Sequence, residues 1–237
     1  MRRLTAAAVA ALTVAVATEL APAHAGAQRP VAATQELTTL LTSHQVFRTP
    51  AGRSSKASIV RASRPITGGP TVLPVTGRRT TAGGRRWLRV LLPGRPNGAQ
   101  GWIAERATTT TTTAWHLVVR TGDRQVRAYR RGRLVRSFSA IVGKPSTPTP
   151  RGRFFVEESI DMLPGAVGGP FALATSARSN VLQEFAGGPG QIGIHGVENL
   201  GGTPGTAASH GCVRLPNASI NWLALRIRSG VPVTIAS

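Results

Sequence analysis

The chain is poor in cysteine, lysine, acidic residues and aromatics, and each shortage excludes something. With Cys212 alone, there is no intramolecular disulfide framework and no Cys₂ or Cys₄ zinc site. Aromatic residues at 5% leave little on which to stack bases, which argues against nucleic-acid binding. Nine acids against 29 basic residues give a formal net charge of +20, and with only Lys56 and Lys144 as lysines the charge is nearly all arginine. The apolar run at residues 4–18 falls short of the ~20 residues that span a membrane as a helix. What is present is a 41% hydrophobic content, too high for a disordered polyelectrolyte.

The N-terminus carries an export signal. Arg2 and Arg3 precede the Ala/Val-rich run, and Ala23-His24-Ala25 is a small-x-small cleavage pattern, so residues 1–25 read as a signal peptide cleaved after Ala25. The expected location is therefore the cell wall, a periplasm-like space or the exterior, with no stable membrane span after cleavage. Export changes the meaning of the charge. The arginines are scattered along the chain, and diffuse positive charge favours retention by anionic cell-wall polymers over sequence-specific nucleic-acid binding. Export also sharpens the question of the cysteine. A free thiol in an oxidising compartment is either buried and inert or kept for its reactivity.

Residues 26–35 read as a flexible lead-in. Leu37, Leu40 and Leu41 suggest a short helix over residues 35–46. Beyond it the pattern is β, with Thr71-Val72-Leu73, Trp87-Leu88-Arg89-Val90-Leu91 and Gly101-Trp102-Ile103 separated by Gly/Pro/Asn turns. The order of these runs resembles the last strands of bacterial SH3-like domains, which implies a small wall-binding β-barrel over residues 26–107. The threonine run Thr108–Thr113 reads as part of a low-complexity linker over residues 108–114. From residue 115 to 237 a β-meander follows, then a proline-broken loop at residues 144–150. A strand around Phe154-Phe155-Val156 and a glycine-rich excursion over residues 161–190, with the look of a lid, come next. One helix follows: Asn217 stands where a cap would, Ile220, Leu223 and Ile227 form its apolar stripe, Arg226 and Arg228 suit its last turn, and after Gly230 residues 231–236 read as a last strand.

The chemistry sits just before that helix. In Gln191-Ile192-Gly193-Ile194-His195-Gly196 the two isoleucines alternate with His195, which places the imidazole on the opposite strand face. A Gly/Pro-rich loop leads from there to Ser209-His210-Gly211-Cys212 and can fold back to bring His210 and Cys212 near His195. A cysteine at its ordinary pKa of ~8.5 is mostly thiol at neutral pH; a neighbouring imidazole activates it. The thiolate attacks an acyl carbon, the imidazolium protonates the leaving amine, and backbone N–H groups near Gly211 and Cys212 can receive the oxyanion.

These motifs resemble the L,D-transpeptidases with YkuD-type catalytic domains. The resemblance covers residues 115–236 and includes Thr147-Pro148-Thr149-Pro150-Arg151-Gly152-Arg153-Phe154 and the final Gly230-Val231-Pro232-Val233-Thr234-Ile235. It implies a mainly β fold, an L,D-transpeptidase-like β-sandwich with one helix after the nucleophile. It also implies Cys212 as nucleophile and His195 as acid/base, with the other ring nitrogen held by the Gly196 carbonyl. The amides of His210, Gly211 and Cys212 are the implied oxyanion hole, and Ser209 and His210 shape the site or touch substrate. The substrate implied is the peptidoglycan stem peptide, joined in 3→3 links, and covalent inhibition by carbapenems is expected. No cofactor or metal is called for.

Two positions depart from the pattern. Arg214 stands where Asn is common; it either clamps a substrate carboxylate or pairs internally with an acid such as Glu198. The loop between His195 and Ser209 is short, with 13 residues. His210 by residue type is a base, a support for the oxyanion or purely structural. Competing functions are an L,D-carboxypeptidase using the same site, a zinc hydrolase built on His195, His210 and Cys212, and a non-catalytic wall-binding protein.

Overall fold

Short runs of β-branched and apolar residues divided by Gly/Pro turns become strands throughout the chain. The structure is a computed structural model that describes residues 30–50, 56–185 and 187–237; the expected signal peptide lies outside the described residues. Seven strands form a first sheet: β1 (Gln35–Leu40), β2 (His44–Phe47), β3 (Lys56–Val60), β4 (Val72–Thr80), β5 (Arg86–Leu91), β6 (Gln100–Ala104) and β7 (Thr108–Thr113), in the order β3-β2-β6-β5-β4-β1-β7. A second sheet holds β8 (Trp115–Arg120), β9 (Gln125–Arg130) and β10 (Arg133–Ser139). After the short β11 (Val142–Gly143) come β12 (Gly152–Asp161), β13 (Phe171–Arg178) and β14 (Gln191–His195). Then follow β15 (Ala207–Ser209), β16 (Val213–Arg214), the helix α1 (Asn217–Ala224) and β17 (Pro232–Ala236). The second sheet runs β10-β9-β8-β17-β12-β13-β14-β16, and β11 pairs with β15 alone. The fold is mainly β, as the sequence implies, with one helix after Cys212 among the described residues. No helix among those residues is long and apolar enough to cross a membrane.

Four expectations are corrected. Residues 35–46 are two strands, not a helix: Leu37, Thr38 and Leu40 are buried together, and β1 is paired on both sides, by β4 and β7. The stretch is rich in β-branched residues, and a helix this short is marginal in water, so ladder partners from distant sequence decide its state. The threonine run is not a loose linker. It pairs residue for residue with β1, from Leu40↔Thr108 to Gln35↔Thr113, because threonine's branched Cβ favours the extended backbone even where polarity suggests a loop. The excursion at residues 161–190 contains a core strand, β13, buried along most of its length. Finally, α1 has Pro216 at its N-cap with no side-chain cap, and ends before Arg226 and Arg228. Asn217 instead accepts a hydrogen bond from the Val197 N–H at 3.0 Å, tying the helix start to the loop after β14.

Residues Val31–Ser237 form one compact unit with two apolar cores. Strand β12 serves both, since alternate side chains leave a strand on opposite faces. Phe154 and Val156 enter the core of the second sheet, while Phe155 enters that of the first. Beyond them, Glu157 is buried between Arg64 and Arg178, and the Glu158 carboxylate accepts hydrogen bonds from the Ile66 and Thr67 N–H groups and the Thr67 hydroxyl.

Candidate active site

Strand β14 organises the site. Ile192 and Ile194 are buried in the second core, which turns Gln191, Gly193 and His195 to the other face. The Cys212 sulfur lies against the backbone edge of β14: it accepts the Gly193 N–H at 3.4 Å and stands 3.9 Å from the Gln191 carbonyl oxygen. Parallel pairing of β16 with β14 brings the two half-motifs together, with Ile194 opposite Val213 and His195 opposite Arg214. His195, His210, Cys212 and Arg214 line one cavity of about 440 Å³, walled also by Val167, Ser179, Leu182, Phe185 and Leu200.

The His195 tautomer is fixed by its neighbours. Its Nδ1 is 2.8 Å from the Gly196 carbonyl oxygen, and a carbonyl can only accept, so Nδ1 carries the proton and Nε2 is left as the acceptor. Gly196 allows this because a Cβ there would overlap the Gly169 carbonyl oxygen and crowd Asn217 Oδ1. Burial pushes the His195 pKa down, assisted by the Arg214 charge and opposed by hydrogen bonds to the backbone of Gly196 and Gly168. Burial pushes the Cys212 thiol up, opposed by the Gly193 N–H and Arg214. Desolvation thus favours the neutral form of both groups, a thiol beside a basic imidazole.

The turn that carries the thiol is over-determined. Ser209 is fully buried; its hydroxyl donates to the Cys212 carbonyl at 2.5 Å and accepts the Gly211 N–H at 3.1 Å. Gly211 has φ of +120°, a conformation that disfavours any side chain. Ser209 thus occupies the Gly211 N–H, one of the three amides that the resemblance implies as oxyanion donors. Ser209 shapes the turn from within and has no path to substrate.

His210 is exposed. It stacks on Phe185 with centroids 5.8 Å apart, and its Nε2 is 3.4 Å from Lys144 Nζ. Arg214 makes no ion pair with Glu198: its Nη1 donates to the Gly201 carbonyl at 3.1 Å, bracing the loop between the half-motifs. Among the described residues no three His, Cys, Asp or Glu side chains gather as a metal ion would require.

Sequence reasoning missed the supports behind the turn. The Thr149 hydroxyl donates to the Gly211 carbonyl at 2.8 Å, and the Thr147 hydroxyl to the Ser209 carbonyl at 3.3 Å. The Lys144 N–H also reaches the Ser209 carbonyl, at 2.9 Å. The available signal was two threonines two apart in a segment too rich in proline to form a ladder of its own. Gly168 was missed as well: a Cβ there would press on His195 Nδ1 at 2.7 Å.

A thiol and an imidazole of fixed tautomer on one cavity are the equipment of a cysteine acyltransferase. Residues 114–235 match the model of the YkuD L,D-transpeptidase catalytic domain, and the chain belongs to that family. The YkuD protein of Bacillus licheniformis, to which L,D-transpeptidase activity is ascribed, is 34% identical over 124 residues, covering 52% of this chain and 67% of that one. Its Bacillus subtilis counterpart is 29% identical over the same coverage. Among solved structures, an Enterococcus faecium L,D-transpeptidase mutant is 20% identical over 51% of this chain and 49% of that one, with a TM-score of 0.40. The chain thus spans about half the length of that structure.

Proposed function

We propose that this chain is an exported peptidoglycan L,D-transpeptidase acting through an acyl-enzyme on Cys212. The observation that carries the reading is the placement of Cys212 and the free Nε2 of His195 on one cavity, with Nδ1 held by Gly196. The donor is a tetrapeptide stem cut after its third, L-centred residue. His195 Nε2 takes the thiol proton as the sulfur attacks the donor carbonyl carbon, and the His210 and Cys212 amides receive the oxyanion. Collapse of the tetrahedral intermediate breaks the C–N bond. The proton passes from His195 to the leaving amine, and a thioester remains. The side-chain amine of a neighbouring stem then attacks the thioester, His195 takes a proton from it, and the thiol departs with that proton, leaving a 3→3 link.

Water in place of the amine makes the same thioester an L,D-carboxypeptidase intermediate. Arg214 beside the cavity supplies a fixed positive charge suited to an acidic stem. The signal at residues 1–25 supports export, and the arginine surface and first sheet support retention among anionic wall polymers.

The test is product analysis with purified tetrapeptide-bearing muropeptides. The reading predicts 3→3 dimers together with released terminal residue, both absent with Cys212→Ala. Tripeptide monomers without dimers at high acceptor concentration would assign hydrolysis instead; no product at all would overturn both.

A further inference from the structure

The loop between β5 and β6 bonds to the stretch that walls the reactive cavity. Arg95 and Asn97 lie on that loop, and neither was marked by any motif. The Arg95 guanidinium spans the base of the stretch that walls the cavity. Its Nη2 donates to the Ser179 carbonyl at 2.8 Å and the Leu182 carbonyl at 3.2 Å, and its Nη1 to the Pro189 carbonyl at 2.9 Å. One planar fork therefore joins the limb leaving β13 to the limb entering β14. The same base is closed from inside by the Ser179 N–H on the Gly190 carbonyl at 2.8 Å. It has no room to rearrange cheaply: a Cβ on Gly190, whose φ is +62°, would collide with the Leu182 carbonyl.

Asn97 fixes the point where the wall leaves the sheet. Its Oδ1 accepts the Arg178 N–H at 2.8 Å, and its Nδ2 donates to the Arg178 carbonyl at 2.7 Å and to Asn180 Oδ1 at 3.1 Å. The side-chain amide thus pairs with the last residue of β13 as a neighbouring strand would. Five of these six bonds go to backbone atoms, so the loop holds the conformation of the wall and not its side chains. Of that wall, Ser179, Leu182, Phe185 and Gly190 line the cavity, and Phe185 carries the stack on His210.

We propose that Arg95 and Asn97 are positioning residues for acyl transfer: from the first sheet they hold the Ser179–Leu182 and Pro189–Gly190 limbs so that a peptide donor meets Cys212 in a reactive pose. The proposal rests on the transpeptidase reading for its kinetic consequence but not for its mechanical one. It gives the first sheet a part in the site itself, beyond attachment to the wall.

The experiment uses the full chain with R95A/N97A and R95K. In the double variant, kcat/KM for a tetrapeptide donor is expected to fall about 10- to 100-fold, the usual cost of misplacing a bound substrate by around an ångström. Alkylation of Cys212 by iodoacetamide, which needs no peptide pose, is expected to stay at the wild-type rate. Amide exchange over residues 179–190 is expected to quicken while the second core stays protected. R95K is expected to recover part of the loss, since an ammonium reaches one limb and cannot fork across both.

Wild-type kcat/KM in the double variant overturns the proposal. So does a loss shared equally by alkylation and by core protection, which would mark Arg95 and Asn97 as merely structural. If the wild-type chain itself leaves the donor untouched, the transpeptidase reading fails separately, and unchanged exchange over residues 179–190 then overturns the clamp.

Discussion

His195→Ala slows acylation of Cys212 by about 10²- to 10⁴-fold, the span a positioned general base supplies, while His210→Ala costs far less. The asymmetry follows from how the two rings are held. His195 has Nδ1 committed to the Gly196 carbonyl and a glycine edge, Gly168, against its ring, so Nε2 has one orientation toward the cavity. His210 is exposed, stacked on Phe185, and its Nε2 is near the Lys144 ammonium. Stopped-flow acylation with a β-lactam measures both variants. The pH dependence carries the sign of the argument. Burial lowers the His195 pKa, so the base stays neutral, and the rate is held, to below the usual histidine value before it falls with acid. Burial raises the Cys212 thiol, so alkylation by a neutral reagent climbs into the alkaline range and shows no thiolate plateau at neutral pH. An alkylation plateau already reached by pH 6 would show a thiolate–imidazolium pair in place of the neutral one, and His210→Ala as the slower variant would reassign the base.

Glu157→Ala destabilises the fold by about 3–5 kcal/mol, the cost of removing one partner from a buried ion pair. Glu157 is 1% exposed and holds Arg178 at 3.1 Å on one oxygen and Arg64 on the other. Burial lowers the pKa of both guanidiniums, Arg178 to about 10, and at Arg64 the nearby Glu158 carboxylate opposes the shift. Removing the carboxylate leaves the largely buried Arg178 and the half-buried Arg64 without their shared partner. Denaturant unfolding reads the loss. Replacing Glu157, Arg64 and Arg178 together by Leu and Met is expected to recover much of it, because a buried ionic cluster can be exchanged for apolar packing at little net cost. A Glu157→Ala loss below about 1 kcal/mol, the worth of an exposed pair, would show the cluster to be solvated.

The site was more legible than its surroundings, for a physical reason. His195 and Cys212 follow from local rules: alternation along β14 sets the face of the imidazole, and a Gly-Cys turn before a helix presents a thiol. The strands over residues 115–160 follow in the same way. Illegible were features decided by partners far away in sequence. The six threonines of β7 become a strand because β1, seventy residues earlier, offers its edge. Residues 35–40 have leucine spacing compatible with a helix, yet two ladders outweigh it. Arg95 and Asn97 look like turn residues and were unreadable as parts of the site, since what they bind is backbone more than eighty residues away. Asn217 was read as a helix cap by position, but the Val197 N–H claims its side chain first.

The central claim is that Cys212 forms the acyl-enzyme, and intact-mass analysis after incubation with a carbapenem tests it most directly. A strained β-lactam carbonyl is an activated acyl donor, so a thiol that makes a thioester with a stem peptide is trapped as a stable adduct. The account predicts a mass increase of one carbapenem per chain at about 1:1 stoichiometry, mapped to Cys212 and lost in Cys212→Ala. An unmodified wild-type chain whose Cys212 still reacts with iodoacetamide would contradict it.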